Sequence, residues 1–233
     1  MNVLKPLQVL QFSPNNPIGF LHHQLIDKLG SYRVITPENI DLIESDAPMI
    51  LLGSPQSVND RHLDWLRITR KKVEQAIEMD TPIFGICFGA QLIANVLGSA
   101  VVNVDPEFGW YPVRDTESQT EITAFQWHEQ GFQCPSSAQE LFSGTTQAIC
   151  QGFKYQRSIA TQFHCEVDQM TIQKWVQNLK NEGLKSHIET QTNDYLHSSQ
   201  QLGLSLMSRW LDLNGLRPLH KTQARFERFP KKG

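Results

Sequence analysis

The chain has 233 residues, of which 39% are hydrophobic and 19% charged, so it is long enough to bury a complete core as one α/β domain. Its formal net charge of -3 provides no positive field, and no apolar run approaches the roughly 20 residues of a membrane span, which predicts partners other than nucleic acid or membrane. The N-terminus lacks a signal-peptide pattern, and the four cysteines form no C-x-x-C pair. A cytoplasmic protein with free thiols and no metal site is expected.

The first part of the chain alternates strand-like and helix-like segments. The predicted elements are a strand over residues 7–12, a helix over 18–29, strands over 32–36 and 49–53, and a helix from Asn59 or Asp60 to Met79. This order predicts an α/β fold with a mostly parallel central sheet, flanked by helices on both faces. Functional sites in such sheets lie beyond the carboxyl ends of the strands.

Residues 82–91 predict a buried strand that turns sharply at Cys87 into a helix. Gly85 and Gly89 permit a turn that side chains would crowd. A nucleophile elbow has this arrangement, and the N-terminus of the following helix would favour the thiolate. A buried structural cysteine between two small residues is the alternative interpretation.

The second part of the chain has shorter predicted elements. These are strands over residues 100–104, 110–113, 121–126, 148–155 and 158–163, with a hairpin at Gln156-Arg157, and helices over 168–182 and 194–211. They indicate a smaller antiparallel region beside the parallel sheet. One domain over residues 1–215 is expected, followed by a basic tail over 216–233 that either docks on an acidic partner or is solvated.

Two further segments offer partners for a cysteine nucleophile. His164 ends a predicted strand, and Glu166 follows two residues later on the same side of an extended chain, where it can orient the imidazole. At the end of another strand, Gly53-Ser54-Pro55 makes a turn whose backbone N–H groups, with that of Phe88, can form an oxyanion hole. A surface His-x-Glu and an ordinary β-turn are the alternatives.

Several ordered motifs together resemble the class I glutamine amidotransferase family, in its stand-alone branch similar to GMP synthase. In chain order, the motifs are Gly53-Ser54-Pro55-Gln56-Ser57-Val58, Gly85-Ile86-Cys87-Phe88-Gly89-Ala90-Gln91, Glu107-Phe108-Gly109-Trp110-Tyr111-Pro112-Val113, Phe125-Gln126-Trp127-His128-Glu129 and Gln162-Phe163-His164-Cys165-Glu166. The resemblance runs continuously from about residue 9 to 167. It implies a flavodoxin-like fold with a Cys-His-Glu triad and no cofactor.

The resemblance also implies a role for each matching residue. Cys87 would be the nucleophile, His164 the acid/base and Glu166 its orienter. The N–H groups of Ser54 and Phe88 would form the oxyanion hole. Further substrate contacts are expected from four residues: Gly53, Gln91, Trp127 and His128. For the last two, a core aromatic and a surface histidine are equally good interpretations.

Two positions depart from the family pattern. Ser54 replaces a glycine, which keeps the N–H but alters the preferred turn geometry, and Cys165 replaces the proline between base and carboxylate, which removes a rigid φ.

The expected substrate is glutamine or a γ-glutamyl compound. The chain has no phosphate-binding G-x-x-x-x-G-K-[ST] loop, so any synthetase that uses the ammonia would be a separate polypeptide. Two alternatives are a γ-glutamyl peptide or amide hydrolase that needs no partner, and a non-catalytic binding or regulatory homologue.

Overall fold

The computed structural model describes residues 5–144 and 149–217. Nine strands form one sheet: β1 (Gln8–Leu10), β2 (Arg33–Ile35), β3 (Met49–Leu51), β4 (Ile83–Ile86), β5 (Val101–Asp115), β6 (Glu121–Phe132), β7 (Gln139–Gly144), β8 (Cys150–Tyr155) and β9 (Ser158–Thr161). Five α-helices accompany them: α1 (Leu21–Leu29), α2 (Asp64–Glu78), α3 (Phe88–Val96), α4 (Gln169–Gln177) and α5 (Glu182–Leu213). A 3₁₀ segment over Pro37–Leu42 follows β2.

The sheet has a parallel half and an antiparallel half. The strand order is β2-β1-β3-β4-β9-β8-β7-β5-β6, and the first five strands are parallel to one another. Counted in chain order within this half, the order is that of flavodoxin-like sheets. The remaining four strands are antiparallel and extend the same sheet. The observed architecture confirms the predicted α/β fold class with its antiparallel region.

Both faces of the inner parallel strands β1, β3 and β4 are buried, which explains their largely apolar sequences. Along β3, Ile50 belongs to the core under α1 and α5, whereas Met49 and Leu51 belong to the core under α2 and α3. Successive side chains of a strand point to opposite faces, so one apolar run serves both layers.

The boundaries of several elements differ from the predictions. Two short strands predicted at 100–104 and 110–113 are parts of the single long strand β5, whose pairing with β6 shifts register between Asn103 and Glu107. Strand β6 continues to Phe132, and β7 was not predicted. Helix α5 begins twelve residues before the predicted start at 194, because Asn181 caps it by accepting a hydrogen bond from the N–H of Leu184 at 3.0 Å.

The predicted hairpin between β8 and β9 is confirmed, with Gln156 at a positive φ of 48°. Within residues 5–144 and 149–217, no helix has the length and apolar character to cross a bilayer. The predicted strand start at Ala148 lies outside the described residues, as does the basic tail beyond Arg217.

Candidate active site

Cys87 occupies a strained turn between β4 and α3. Its backbone has φ 51° and ψ -107°, a conformation that side chains rarely adopt and that occurs at functional sites. Its N–H donates to the carbonyl of Thr161 at 2.8 Å, which anchors the turn to β9. The glycines around it are required sterically, because a Cβ at Gly89 would lie 2.2 Å from the carbonyl oxygen of Leu51. A Cβ at Gly85 would lie 2.9 Å from the backbone nitrogen of Ala90.

His164 and Glu166 form a buried pair just beyond β9. Nδ1 of His164 lies 2.7 Å from Oε1 of Glu166, and the two side chains are 1% and 2% exposed. Because an ionised carboxylate only accepts, the hydrogen of the ring is assigned to Nδ1. The N–H of His164 donates to the carbonyl of Phe125 at 2.8 Å, which ties this segment to β6.

The charges around His164 favour its protonated form. Burial of the ring lowers its pKa, but the neighbouring Glu166 and Cys87 together outweigh burial and raise the pKa of His164 to about 10. Nε2, the nitrogen that does not face Glu166, is buried and has no hydrogen-bond partner of standard geometry. Nε2 is therefore the ring nitrogen available to exchange a proton.

An aromatic wall packs against this histidine. The ring of Trp175, on α4, meets His164 edge-on at a centroid distance of 4.8 Å, and its indole N–H donates to the carbonyl of Asn15 at 2.8 Å. Trp127 packs against Trp175 at 5.7 Å and against Phe108 at 5.0 Å. These contacts restrain the plane of the imidazole, and they give the site an apolar boundary.

One cavity brings most of the predicted site residues together. It has a volume of about 870 Å³ and opens at the carboxyl ends of the parallel strands. Six predicted residues line it: Ser54, Cys87, Gln91, Trp127, His128 and His164. Gly53, Phe88 and Glu166 do not line it. The side chain of Phe88 packs on Phe12, and Glu166 reaches the cavity only through His164.

The turn after β3 approaches the histidine closely. A Cβ at Gly53 would lie 3.1 Å from Cε1 of His164 and 3.0 Å from Nδ2 of Asn16, so a side chain at this position would crowd both neighbours. Among the described residues, neither the N–H of Ser54 nor that of Phe88 donates a hydrogen bond. The amide of Gln91 donates to the carbonyl of Gln130 at 3.0 Å.

A closed ring of four hydrogen-bonded, buried polar side chains includes His128, and the sequence did not predict it. Nε2 of His128 lies 3.1 Å from Glu107 and 3.0 Å from the amide oxygen of Gln126. Gln151 closes the ring, accepting from Gln126 at 2.8 Å and donating to Glu107 at 3.3 Å. Both neighbours of Nε2 are acceptors, so the imidazole hydrogen of His128 is assigned to Nε2.

The register of the sheet creates this ring. Glu107 and His128 are directly paired across β5 and β6, and Gln126 is two residues from His128 on the same face. The sequence contains no signal for that register, so the polar ring could be found only in the folded chain.

Residues 21–181 match the family model described as glutamine amidotransferase class-I. The match covers more than half of the 233 residues, so the chain belongs to the class I glutamine amidotransferase family.

Two relatives show how the chain compares with proteins of different lengths. It is 32% identical over 159 residues to a glutamine-hydrolyzing GMP synthase subunit of Thermoplasma acidophilum, a match that covers 62% of this chain and 76% of that protein. It is also 32% identical over 159 residues to the glutamine-hydrolyzing GMP synthase of Wolbachia pipientis, where the match covers 61% of this chain but only 31% of that protein. The chain therefore corresponds to less than a third of the longer synthase.

Solved structures agree with the fold. A glutamine amidotransferase from Thermotoga maritima has a TM-score of 0.71 at 20% identity, covering 91% of this chain and 98% of that one. A glutamine amidotransferase from Methylobacillus flagellatus has a TM-score of 0.68 at 24% identity, with 75% of each chain covered. At these identities the likeness concerns the fold.

Proposed function

We propose that this chain hydrolyses the side-chain amide of glutamine and releases ammonia for a partner reaction, with Cys87, His164 and Glu166 as its catalytic triad. The observation that carries the proposal is the meeting, in one cavity, of a cysteine on a strained strand-to-helix turn and a histidine bound to a buried carboxylate. A nucleophile, a base and a group that orients the base are the parts that covalent acyl transfer requires.

In the first half of the reaction, the Cys87 thiolate attacks the carboxamide carbon of glutamine. The N–H groups of Ser54 and Phe88 bind the oxyanion that develops on the carbonyl oxygen. His164, charged and held by Glu166, donates a proton to the departing nitrogen as the C–N bond breaks. Ammonia and a γ-glutamyl thioester on Cys87 are the products.

In the second half, water attacks the thioester carbon while His164, now neutral, accepts a proton from it. The C–S bond breaks, glutamate leaves and the thiolate is restored. Gln91, Gly53, Trp127 and His128 surround the substrate in this scheme. Gln91, Trp127 and His128 line the cavity and Gly53 lies close to His164, which supports such a role.

The partner is proposed to be a separate synthetase subunit that consumes the ammonia. Support comes from the match to a Thermoplasma acidophilum protein whose name describes one glutamine-hydrolyzing subunit of a GMP synthase. Support also comes from the longer synthase, of which this chain matches 31%.

A second candidate is a γ-glutamyl peptide or amide hydrolase that acts without a partner. The cavity volume of about 870 Å³ supports this candidate, because pockets of about 300–1,000 Å³ suit ligands considerably larger than glutamine. Comparing kcat/KM for glutamine and for γ-glutamyl dipeptides separates the two candidates. A preference for glutamine supports the amidotransferase, and a preference for a dipeptide supports the hydrolase.

The test of the nucleophile is Cys87→Ala, assayed by release of glutamate and ammonia. Loss of at least about a thousandfold in kcat is expected, because no other group can form the thioester. Cys134→Ala, which removes a half-buried thiol outside the cavity, should keep full activity and is the matched control. Retained hydrolysis in Cys87→Ala would contradict the proposal.

A measurement independent of turnover uses a glutamine analogue carrying an electrophilic diazoketone. Mass spectrometry should locate the covalent label on Cys87 in the wild-type chain and find none in Cys87→Ala. Labelling of another cysteine, or of none, in the wild-type chain would count against Cys87 as the nucleophile.

A further inference from the structure

The loop between β9 and α4 carries both His164 and Glu166, and its backbone between them is not fixed by a proline. Position 165 is a cysteine, whose φ is free, whereas proline would fix φ near -65°. The Cys165 thiol is buried beside the hydroxyl of Thr161 at 3.9 Å, and burial raises its pKa, which disfavours the thiolate that a second nucleophile would need. Contacts from outside the loop therefore add to the His164–Glu166 hydrogen bond in fixing the backbone here.

The first external contact comes from the turn before α1. Gly19 has a φ of +58°, and a Cβ at this position would lie 2.0 Å from the carbonyl oxygen of Glu166. The next residue, Phe20, donates its N–H to that same carbonyl at 3.2 Å. A glycine is needed here both for the backbone conformation and for the close approach.

The second contact comes from the second half of α5. A Cβ at Gly203 would lie 2.2 Å from the carbonyl oxygen of Cys165 and 3.1 Å from the ring of Phe20. The helix backbone is therefore packed directly on the peptide that precedes Glu166. Gln24 of α1 ties the two contacting elements together, since its amide donates to Leu204 at 3.0 Å and to Ser208 at 2.8 Å.

We propose that Gly19 and Gly203 are positioning residues, which together clamp two successive carbonyls of the loop and hold Glu166 at hydrogen-bonding distance from His164. Both glycines lie outside residues 21–181, the segment that matches the family model. The clamp is thus supplied by the flanking parts of this chain. The inference rests on the proposed function only for its activity readout.

A methyl group at position 203 cannot be accommodated by a side-chain rotation, because the nearest atom is a backbone carbonyl oxygen. Either the loop moves and the His164–Glu166 geometry changes, or α5 moves away and the geometry is kept. The clamp predicts the first response. Displacements of about 1 Å near a reacting group cost up to about 100-fold in rate.

The experiment compares Gly203→Ala with Gly183→Ala, a matched change on the same helix whose Cβ would meet only the Asn181 side chain, at 3.4 Å. We expect Gly203→Ala to lower kcat between about tenfold and 100-fold with little change in KM. We also expect the alkaline limb of its pH profile to move to lower pH, because a displaced Glu166 no longer raises the His164 pKa as strongly. Gly183→Ala should match the wild type.

A second readout does not need activity. In ¹⁵N-labelled protein, the downfield proton resonance of the His164 Nδ1–H should shift upfield or vanish in Gly203→Ala and persist in Gly183→Ala. An unchanged resonance and an unchanged pH limb in folded Gly203→Ala would overturn the clamp. A wild-type chain with no hydrolysis and no diazoketone label would instead contradict the proposed function, and the resonance would still test the clamp.

Phe20→Ala covers the case in which Gly203→Ala does not fold. Phe20 is only partly buried, and its ring lies against Gly203, where a Cβ would come within 3.1 Å of it. We expect kcat, the alkaline limb of the pH profile and the His164 Nδ1–H resonance to change in the same direction as in Gly203→Ala, by a smaller amount. Wild-type values of all three in Phe20→Ala would argue against the clamp.

Discussion

A positive φ at Cys87 and a 2.7 Å hydrogen bond between His164 and Glu166 are both short-range features. The first depends on glycines two residues to either side, and the second on two residues at i and i+2. Such local patterns are visible in the sequence. The aromatic contact of Trp175 with His164 was not visible in the sequence, because it joins a helix to a loop through tertiary packing.

At this scale we predict the effect of Glu166→Gln on the pH dependence of hydrolysis. Against the opposing effect of burial, Glu166 helps to raise the pKa of His164 from an ordinary value of 6.5 to about 10. The protonated ring is present below this pKa and is lost as the pH rises through it. Without the carboxylate, the alkaline limb of kcat/KM should move to lower pH, and kcat should fall.

The control for this change is Glu189→Gln, which removes the same charge from an exposed position on α5. Its pH profile should coincide with that of the wild type. An alkaline limb that stays in place in Glu166→Gln would show that the carboxylate does not set the charge of His164.

Elements differ in how well their sequences predicted them. Helices α1 and α2 and the short parallel strands were located within a few residues, because their apolar patterns are complete within the segment. The long antiparallel pair β5 and β6 was predicted as three short strands. Its length depends on cross-strand pairing, which a single strand's sequence does not encode.

The contact of β5 with α5 gives an element-scale prediction. The indole N–H of Trp110 donates to Oγ1 of Thr192 at 3.0 Å in a buried environment. Thr192→Val keeps the shape but leaves that N–H without an acceptor, so the free energy of unfolding should fall by about 1–3 kcal/mol. Urea denaturation measures this change.

Thr190→Val is the matched control, since Thr190 is exposed on the same helix. It should change the stability by no more than about 0.5 kcal/mol. Equal effects of the two substitutions would mean that the loss comes from the helix propensity of valine and not from the buried hydrogen bond.

The whole molecule depends on segments at both ends of the described chain. Strand β1 lies between β2 and β3, and the last turns of α5 complete the core beneath α1. Both lie outside residues 21–181, so the family segment by itself lacks the central strand β1 and helix α5. The predicted division into residues 1–215 and 216–233, and the cytoplasmic location, remain predictions.

Trp210→Ala tests the contribution of the terminal layer. Trp210 is fully buried on α5, and its ring meets Phe84 of the central strand β4 edge-on at 5.7 Å. Truncation should lower the free energy of unfolding, measured by urea denaturation, by about 3–5 kcal/mol, because it leaves a large cavity between helix and sheet.

Leu213→Ala, at a position that is 58% exposed three residues further along the same helix, should cost less than about 0.5 kcal/mol. Comparable losses in the two variants would mean that α5 is marginally stable for reasons unrelated to the buried indole.

The amino-acid sequence by itself determined the alternation of elements, the class of fold, the elbow at Cys87 and the adjacency of His164 and Glu166. Each of these depends on residues that are close along the chain. Only the tertiary structure decided which residues surround His128, how far β5 and β6 extend, and which glycines press on the loop at Cys165. Those features arise from contacts between residues that are distant along the chain, and such contacts exist only once the sheet register and helix packing are set.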